Sequence, residues 1–172
     1  MDGDITVESK EGVGTIFTVT VVLDIDQSAT VIEEQEESTV EQDFTGRHIL
    51  LVEDHPLNTI VAKSLLTKRG FEVTHAENGE EAVRFFEESK EDTFDAILMD
   101  IRMPVMDGIE ATMRIREMER REAKRIPIIA MTANAYEEDR RRTANAGMNA
   151  HLAKPINPKQ LFKTLDDFIR QE

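Results

Sequence analysis

From residue 48 onward the chain alternates short apolar runs with stretches whose apolar residues recur at three- and four-residue spacing. His48-Ile49-Leu50-Leu51-Val52 is a continuous apolar run that ends in two acids, the pattern of a strand buried on both faces. Pro56 to Arg69 follows with Leu57, Val61 and Leu65 at helical spacing, and Gly70 stops it. Phe71–Ala76 reads as a second strand, and Asn78-Gly79-Glu80-Glu81 caps a helix that carries Ala82, Val83, Phe85 and Phe86. Phe94–Met99 is a third strand, followed by a helix from near Gly108 through Ile109, Met113 and Met118. Pro127–Met131 and Tyr136–Ala146 form the fourth pair, closed by Gly147; Asn149–Ala153 and Pro158–Arg170 form the fifth. Five strand–helix units in succession predict an α/β fold, a doubly wound (βα)₅ parallel sheet with helices on both faces.

The first 47 residues follow another pattern. Asp4–Glu8 and Thr15–Leu23 alternate β-branched with polar residues across Lys10-Glu11-Gly12-Val13-Gly14, which predicts a β-hairpin with two glycines available for its turn. A lone hairpin is marginal in water, so it must pack on something, pair with a second copy through its edges, or be a remnant of another domain. Between hairpin and α/β region lies Glu33-Glu34-Gln35-Glu36-Glu37-Ser38-Thr39-Val40-Glu41-Gln42-Asp43. This stretch is too polar to bury a face and too self-repelling to collapse, and reads as a flexible linker. The organisation expected is a hairpin over 1–26, an acidic linker over 27–46 and an α/β domain over 47–172.

Charge and composition narrow the function. The 172 residues hold 35 acids and 21 bases, a net charge of −14; residues 1–47 account for 12 acids and 2 bases of these. Such a chain, with one Tyr and no Trp, repels a phosphate backbone, so no nucleic-acid partner is expected. Absence of cysteine removes disulfides, thiolate metal sites and thiol nucleophiles. No apolar run approaches the ~20 residues of a membrane span and no signal peptide opens the chain, so a cytoplasmic piece that is not membrane-inserted is expected.

In an open parallel sheet, ligands bind outside the carboxyl ends of the strands, near the point where strand order reverses. Just past the first strand stand Glu53 and Asp54, at the end of the third Asp100, after the fourth Thr132 and Ala133, after the fifth Lys154 and Pro155. Three carboxylates, a hydroxyl and an ammonium thus gather at one edge. Clustered carboxylates repel unless a cation sits among them, and oxygen-only donors suit Mg²⁺ or Mn²⁺. Such a site binds phosphoryl oxygens, and a carboxylate can itself be the nucleophile, giving an aspartyl-phosphate. Asp100, central and at a strand end, is the candidate.

Val52-Glu53-Asp54, the run Met99-Asp100-Ile101-Arg102-Met103-Pro104-Val105-Met106-Asp107-Gly108, Met131-Thr132-Ala133-Asn134-Ala135 and Lys154-Pro155 together resemble a response-regulator receiver domain over about residues 48–170. The resemblance implies a flavodoxin-like strand order of 2-1-3-4-5 and phosphoryl transfer from a phosphohistidine to Asp100. It further implies Mg²⁺ held by Asp54, Asp100 and the backbone carbonyl of Arg102, with Glu53 reaching the metal through water. Lys154 would pair with the phosphoryl group, and Thr132 would swing to hydrogen-bond it beside the backbone N–H of Ala133, shifting the fourth helix and fifth strand between pre-existing states. His151 stands where the family usually has Tyr or Phe as a switch; a half-exposed edge residue is the competing reading. Arg102 and Asn134 occupy positions that border the hydrolytic water, so they would set phosphate lifetime, with Arg102 either shielding the site or facing solvent. Lys154-Pro155 is cis in the family, whereas an X-Pro bond by itself favours trans.

Residues 3–19 resemble the last hairpin of a histidine-kinase ATPase domain. Kinase end, acidic linker, then receiver is the order of a hybrid histidine kinase, and such a parent can be membrane-anchored. On that reading the ATP-binding boxes lie upstream, no DNA-binding output domain follows the fifth helix, and this piece is a phosphoacceptor with at most slow autodephosphorylation. The donor would be the kinase's own phosphohistidine on its dimerisation domain, the acceptor a histidine phosphotransfer protein. On the first helix Leu57, Ile60, Val61, Ala62, Leu65 and Leu66 cover more of the wheel than one core stripe needs; burial under neighbours and an exposed docking patch both account for it. Three rivals are weighed. A Mg²⁺ phosphatase with an aspartyl-phosphate would want a second Asp two residues on, where Arg102 stands. A flavodoxin-like nucleotide binder would want a Gly/Ser/Thr-rich loop where Glu53-Asp54-His55-Pro56 stands. A docking receiver that is never phosphorylated has no need of the complete acid set. Arg140-Arg141-Arg142 reads as a solvated helix face, and His48, His55 and His75 as non-ligands.

Overall fold

The computed structural model describes residues 3–10, 12, 14–22, 43–133 and 137–169. The chain divides into two compact units, one at residues 1–40 and one at 41–172.

In the first unit, β1 (Gly3–Lys10) pairs antiparallel with β2 (Gly14–Val21), from Gly3 opposite Val21 to Lys10 opposite Gly14. Gly12 and Gly14 take the positive φ angles of 75° and 139° that the turn requires. Because partners across a ladder share a face, Ile5, Val7, Phe17, Val19 and Val21 line one side of the ribbon, all exposed.

The second unit is the expected parallel sheet. Its strands are β3 (His48–Val52), β4 (Glu72–Ala76), β5 (Ala96–Asp100), β6 (Ile128–Thr132) and β7 (Ala150–Ala153), in the order β4-β3-β5-β6-β7. Counted within this unit, that is 2-1-3-4-5, and every pair is parallel. The connecting helices are α1 (Pro56–Lys68), α2 (Gly79–Glu88), α3 (Gly108–Glu117), α4 (Glu137–Ala146) and α5 (Pro158–Ile169).

Alternation along the strands divides the core in two. Leu50, Val52, Ile97, Met99, Ile128 and Ala130 pack against α2 and α3 through Ala82, Phe86, Ala111 and Ile115. Ile49, Leu51, Leu98, Ile129, Met131 and Leu152 pack against α1 and α5 through Leu66, Leu161, Phe162 and Leu165. The apolar runs lacked alternation because β3, β5 and β6 are covered on both faces.

Packing in this unit reaches residues ahead of the first strand. Phe44, placed in the acidic linker by composition, is 3% exposed, stacks on Phe71 at 4.5 Å between centroids and lies 6.3 Å from Phe162. Its N–H donates to Arg69 O at 2.9 Å. A single aromatic ring on a charged tether was masked by the acids before it. Gly70, at φ 89°, lets this segment pass: a Cβ there would meet Thr45 Oγ1 at 2.7 Å and Asp43 Oδ1 at 2.9 Å.

Candidate functional site

Strand order reverses at β3, whose two sheet neighbours are β4 and β5, so the acids after β3 and at the end of β5 face the same crevice. Ligand oxygens of Glu53, Asp54 and Asp100 lie within 4.8 Å of one another. Glu53 is 1% exposed and Asp100 6%, while Asp54 is open to solvent.

Lys154 reaches this cluster from the end of β7. Its Nζ donates to Glu53 Oε2 and to Asp100 Oδ2, each at 2.5 Å. Its backbone N–H donates to Thr132 O at 2.8 Å, which ties the ends of β6 and β7 together. The Lys154-Pro155 bond is cis. Asp100 Oδ1 accepts the Arg102 backbone N–H at 3.1 Å. Burial pushes the Asp100 carboxyl above its usual range, against the lowering pull of the Lys154 hydrogen bond, with the Glu53 charge adding to the rise. One ammonium therefore leaves the three acids undercompensated, and their donors are all hard oxygens, the set that a divalent Mg²⁺-type cation complements.

Local backbone design places Asp100. Asp107 caps α3, its side chain accepting the Glu110 N–H at 2.8 Å, so the helix starts directly beneath the strand end. Gly108 is required there: a Cβ would stand 2.1 Å from Asp100 O. Between them Val105 takes φ 70° while Met106 N–H donates to Pro104 O at 2.8 Å, a γ-turn that holds the loop after Asp100 tightly folded.

Glu53 has partners that the sequence reading did not single out. Asn58 Nδ2 donates to Glu53 Oε1 at 2.8 Å, and His75 Nε2 lies 2.8 Å from Glu53 O. Asn58 lies between Leu57 and Thr59 on the first turn of α1, and no motif in the sequence marks it.

The other expected site residues are distributed around this centre. Thr132 is 5% exposed at the end of β6, and Ala133 follows it, exposed. The Arg102 residue is exposed rather than buried over the acids. Asn134 lies outside the described residues. His151, on edge strand β7, is half-buried and its Nε2 bonds Thr143 Oγ1 on α4. Of the first-helix residues, Ala62 and Leu66 enter the core, whereas Leu57, Ile60 and Val61 are 66%, 64% and 53% exposed. Arg140, Arg141 and Arg142 are exposed, as expected.

Among the described residues no helix is long and apolar enough to cross a membrane. The model of the response regulator receiver domain family matches residues 49–166. The aerobic respiration control sensor protein ArcB of Escherichia coli is 36% identical over 170 residues, covering 98% of this chain and 21% of its own length. The chain spans 7% to 21% of the length of the curated relatives it matches. Among solved structures, the receiver domain of the sensor histidine kinase PA1611 from Pseudomonas aeruginosa, with a magnesium ion coordinated in its active site cleft, is 46% identical at a TM-score of 0.66, covering 73% of this chain and 98% of that one. The receiver domain of the Saccharomyces cerevisiae response regulator Ssk1, co-crystallised with the histidine phosphotransfer protein Ypd1, is 33% identical at a TM-score of 0.65, covering 72% and 88%. With its fold, acid cluster and family match in agreement, the chain belongs to the response regulator receiver domain family and is homologous to the receiver domains of hybrid histidine kinases.

Proposed function

We propose that this chain is the phosphoryl-accepting receiver of a hybrid histidine kinase, with Asp100 as acceptor. The observation that carries the reading is the convergence of Glu53, Asp54 and Asp100 within 4.8 Å, with Lys154 bridging two of them. In the transfer, a carboxylate oxygen of Asp100 forms the new bond to phosphorus, the P–N bond of a phosphohistidine breaks, and the imidazole leaves. Glu53, Asp54 and Asp100, with the Arg102 carbonyl, would hold Mg²⁺ or Mn²⁺, whose charge offsets that of the phosphoryl oxygens. Lys154 then exchanges its Asp100 contact for a phosphoryl oxygen, and Thr132 with the Ala133 N–H takes another. That leaves Glu53 as the remaining carboxylate partner of Lys154. Thr132 moving inward would release α4, on which His151 rests through Thr143.

The exposed apolar patch of Leu57, Ile60 and Val61 lies on the helix that follows Glu53 and Asp54 directly. It suits the docking of a helical histidine phosphotransfer protein, or of the kinase's own phosphohistidine domain. The pairing of the Ssk1 receiver with Ypd1 supports this partner class. Residues 1–26 read as the end of a kinase ATPase domain and the acidic stretch after them as its linker to a cytoplasmic receiver. The alignment with ArcB across 98% of this chain supports that order.

The test is intact mass after incubation with acetyl phosphate, with and without Mg²⁺, for wild type and Asp100→Asn. One Mg²⁺-dependent, hydroxylamine-labile phosphoryl adduct, absent in the variant, is expected. A folded, Mg²⁺-binding sample that gains no adduct would reduce the domain to a docking module.

A further inference from the structure

Glu53 is the most deeply buried acid of the site, at 1% exposure, and each of its three oxygens has a polar neighbour. Oε2 accepts from Lys154 Nζ at 2.5 Å, Oε1 from Asn58 Nδ2 at 2.8 Å. The His75 ring nitrogen lies 2.8 Å from the main-chain carbonyl, with Thr59 Oγ1 at 3.5 Å from the same oxygen. The terminal torsion of a glutamate is broad and two-fold, so nothing intrinsic to Glu53 fixes the plane of its carboxylate. The donor at residue 58 holds one oxygen and so sets that plane, which turns the other toward Lys154.

The first turn of α1 is organised around this contact. Pro56 opens the helix and Asn58 stands in its first turn, where the helix dipole favours an acid. A neutral donor is there instead, because a buried carboxylate faces it. Burial follows the same logic in reverse of the usual order: Asn58 and Thr59 are half-buried while Leu57 and Ile60 beside them are exposed.

We propose that Asn58 is a positioning residue for the acid cluster: its amide donates to one carboxylate oxygen of Glu53 and fixes the carboxylate plane, so that the other oxygen faces the cation crevice, while His75 sits against the main-chain carbonyl next to Asp54. The inference rests on the reading of the cluster as a divalent-cation and phosphoryl site. It extends that reading from the acids to the residues that orient them, the kind of outer contact whose loss costs metal sites ~10–100-fold in affinity.

The experiment is a double-mutant cycle on the full chain: wild type, Asn58→Ala, Glu53→Ala and the double variant, with the Mg²⁺ dissociation constant measured by calorimetry. Asn58→Ala is expected to weaken Mg²⁺ binding by roughly tenfold and to add little to the loss already caused by Glu53→Ala. An unchanged constant in Asn58→Ala, or an equal further loss in the Glu53→Ala background, would overturn the proposal, since the residue would then act elsewhere than through Glu53. Should Glu53→Ala put binding out of range, the metal-free melting temperature carries the same cycle. Losses smaller together than summed support the clamp, and additive losses overturn it. A wild-type chain that binds no Mg²⁺ would instead sink the cation-site reading, and the melting cycle would still judge the Asn58–Glu53 contact.

Discussion

His151 lies on β7 with its imidazole turned onto α4. The Thr143 hydroxyl, 3.0 Å from Arg140 O, shares a hydrogen bond with His151 Nε2. Burial, and then the positive Arg140 guanidinium, hold the ring below its ordinary value of 6.5. The folded state therefore favours the neutral ring. This contribution to stability is complete above pH 6.5 and is lost as pH falls below that value toward the lowered folded one, because there the unfolded chain binds more protons. The fall in melting temperature between pH 7.5 and pH 5.5 is expected to be smaller in His151→Phe than in wild type. Equal falls in the two proteins would remove His151 from the acid response. An aromatic ring without a titratable nitrogen carries no such dependence, so this substitution of the family's usual Tyr or Phe adds a proton-linked term at the α4–β7 contact.

At the scale of elements, α1 presents two different faces. Its inward stripe, Ala62 and Leu66, closes the core under β3, while Leu57, Ile60 and Val61 stay in water. Burial does not account for three exposed apolar residues on the helix that begins at the acids, and the docking proposed above would cover them. Leu57→Asp combined with Ile60→Asp is expected to leave phosphoryl uptake from acetyl phosphate unchanged and to slow exchange with a histidine phosphotransfer protein at least tenfold. Wild-type exchange rates in that variant would move the docking face off α1. The other side of the sheet edge shows the opposite economy: α3 is brought so close to β5 that Gly108 has no room for a methyl group beside Asp100 O. One helix of the site keeps an exposed apolar face and another is locked against Asp100.

For the whole molecule, the consequence concerns where the receiver begins. Its core reaches back to Phe44, which completes an aromatic stack with Phe71 and Phe162. A chain starting at Asp43 is expected to retain the melting transition and phosphoryl uptake of the receiver unit. A chain starting at Arg47 is expected to lose roughly 3–5 kcal/mol, the cost of deleting a buried Phe. Comparison of their urea midpoints decides the matter, and equal midpoints would make Phe44 dispensable.

Much of this was legible in the residues alone. Five apolar runs alternating with helical spacing impose a parallel sheet, since each run must be covered on both faces and each connection must cross over. That topology brings Glu53, Asp54, Asp100, Thr132 and Lys154 to one edge however the loops are built. Spacing along the chain carries this information because strand ends are set by local pattern. The contacts between elements are another matter. That Asn58 meets Glu53, that His75 holds a carbonyl 22 residues earlier in the chain, that Arg102 stays in solvent and that Phe44 leaves an acidic stretch to enter the core were decided by tertiary packing. Each depends on which side chain fills a space that exists only after the sheet and its helices have closed, and no periodicity records such a space.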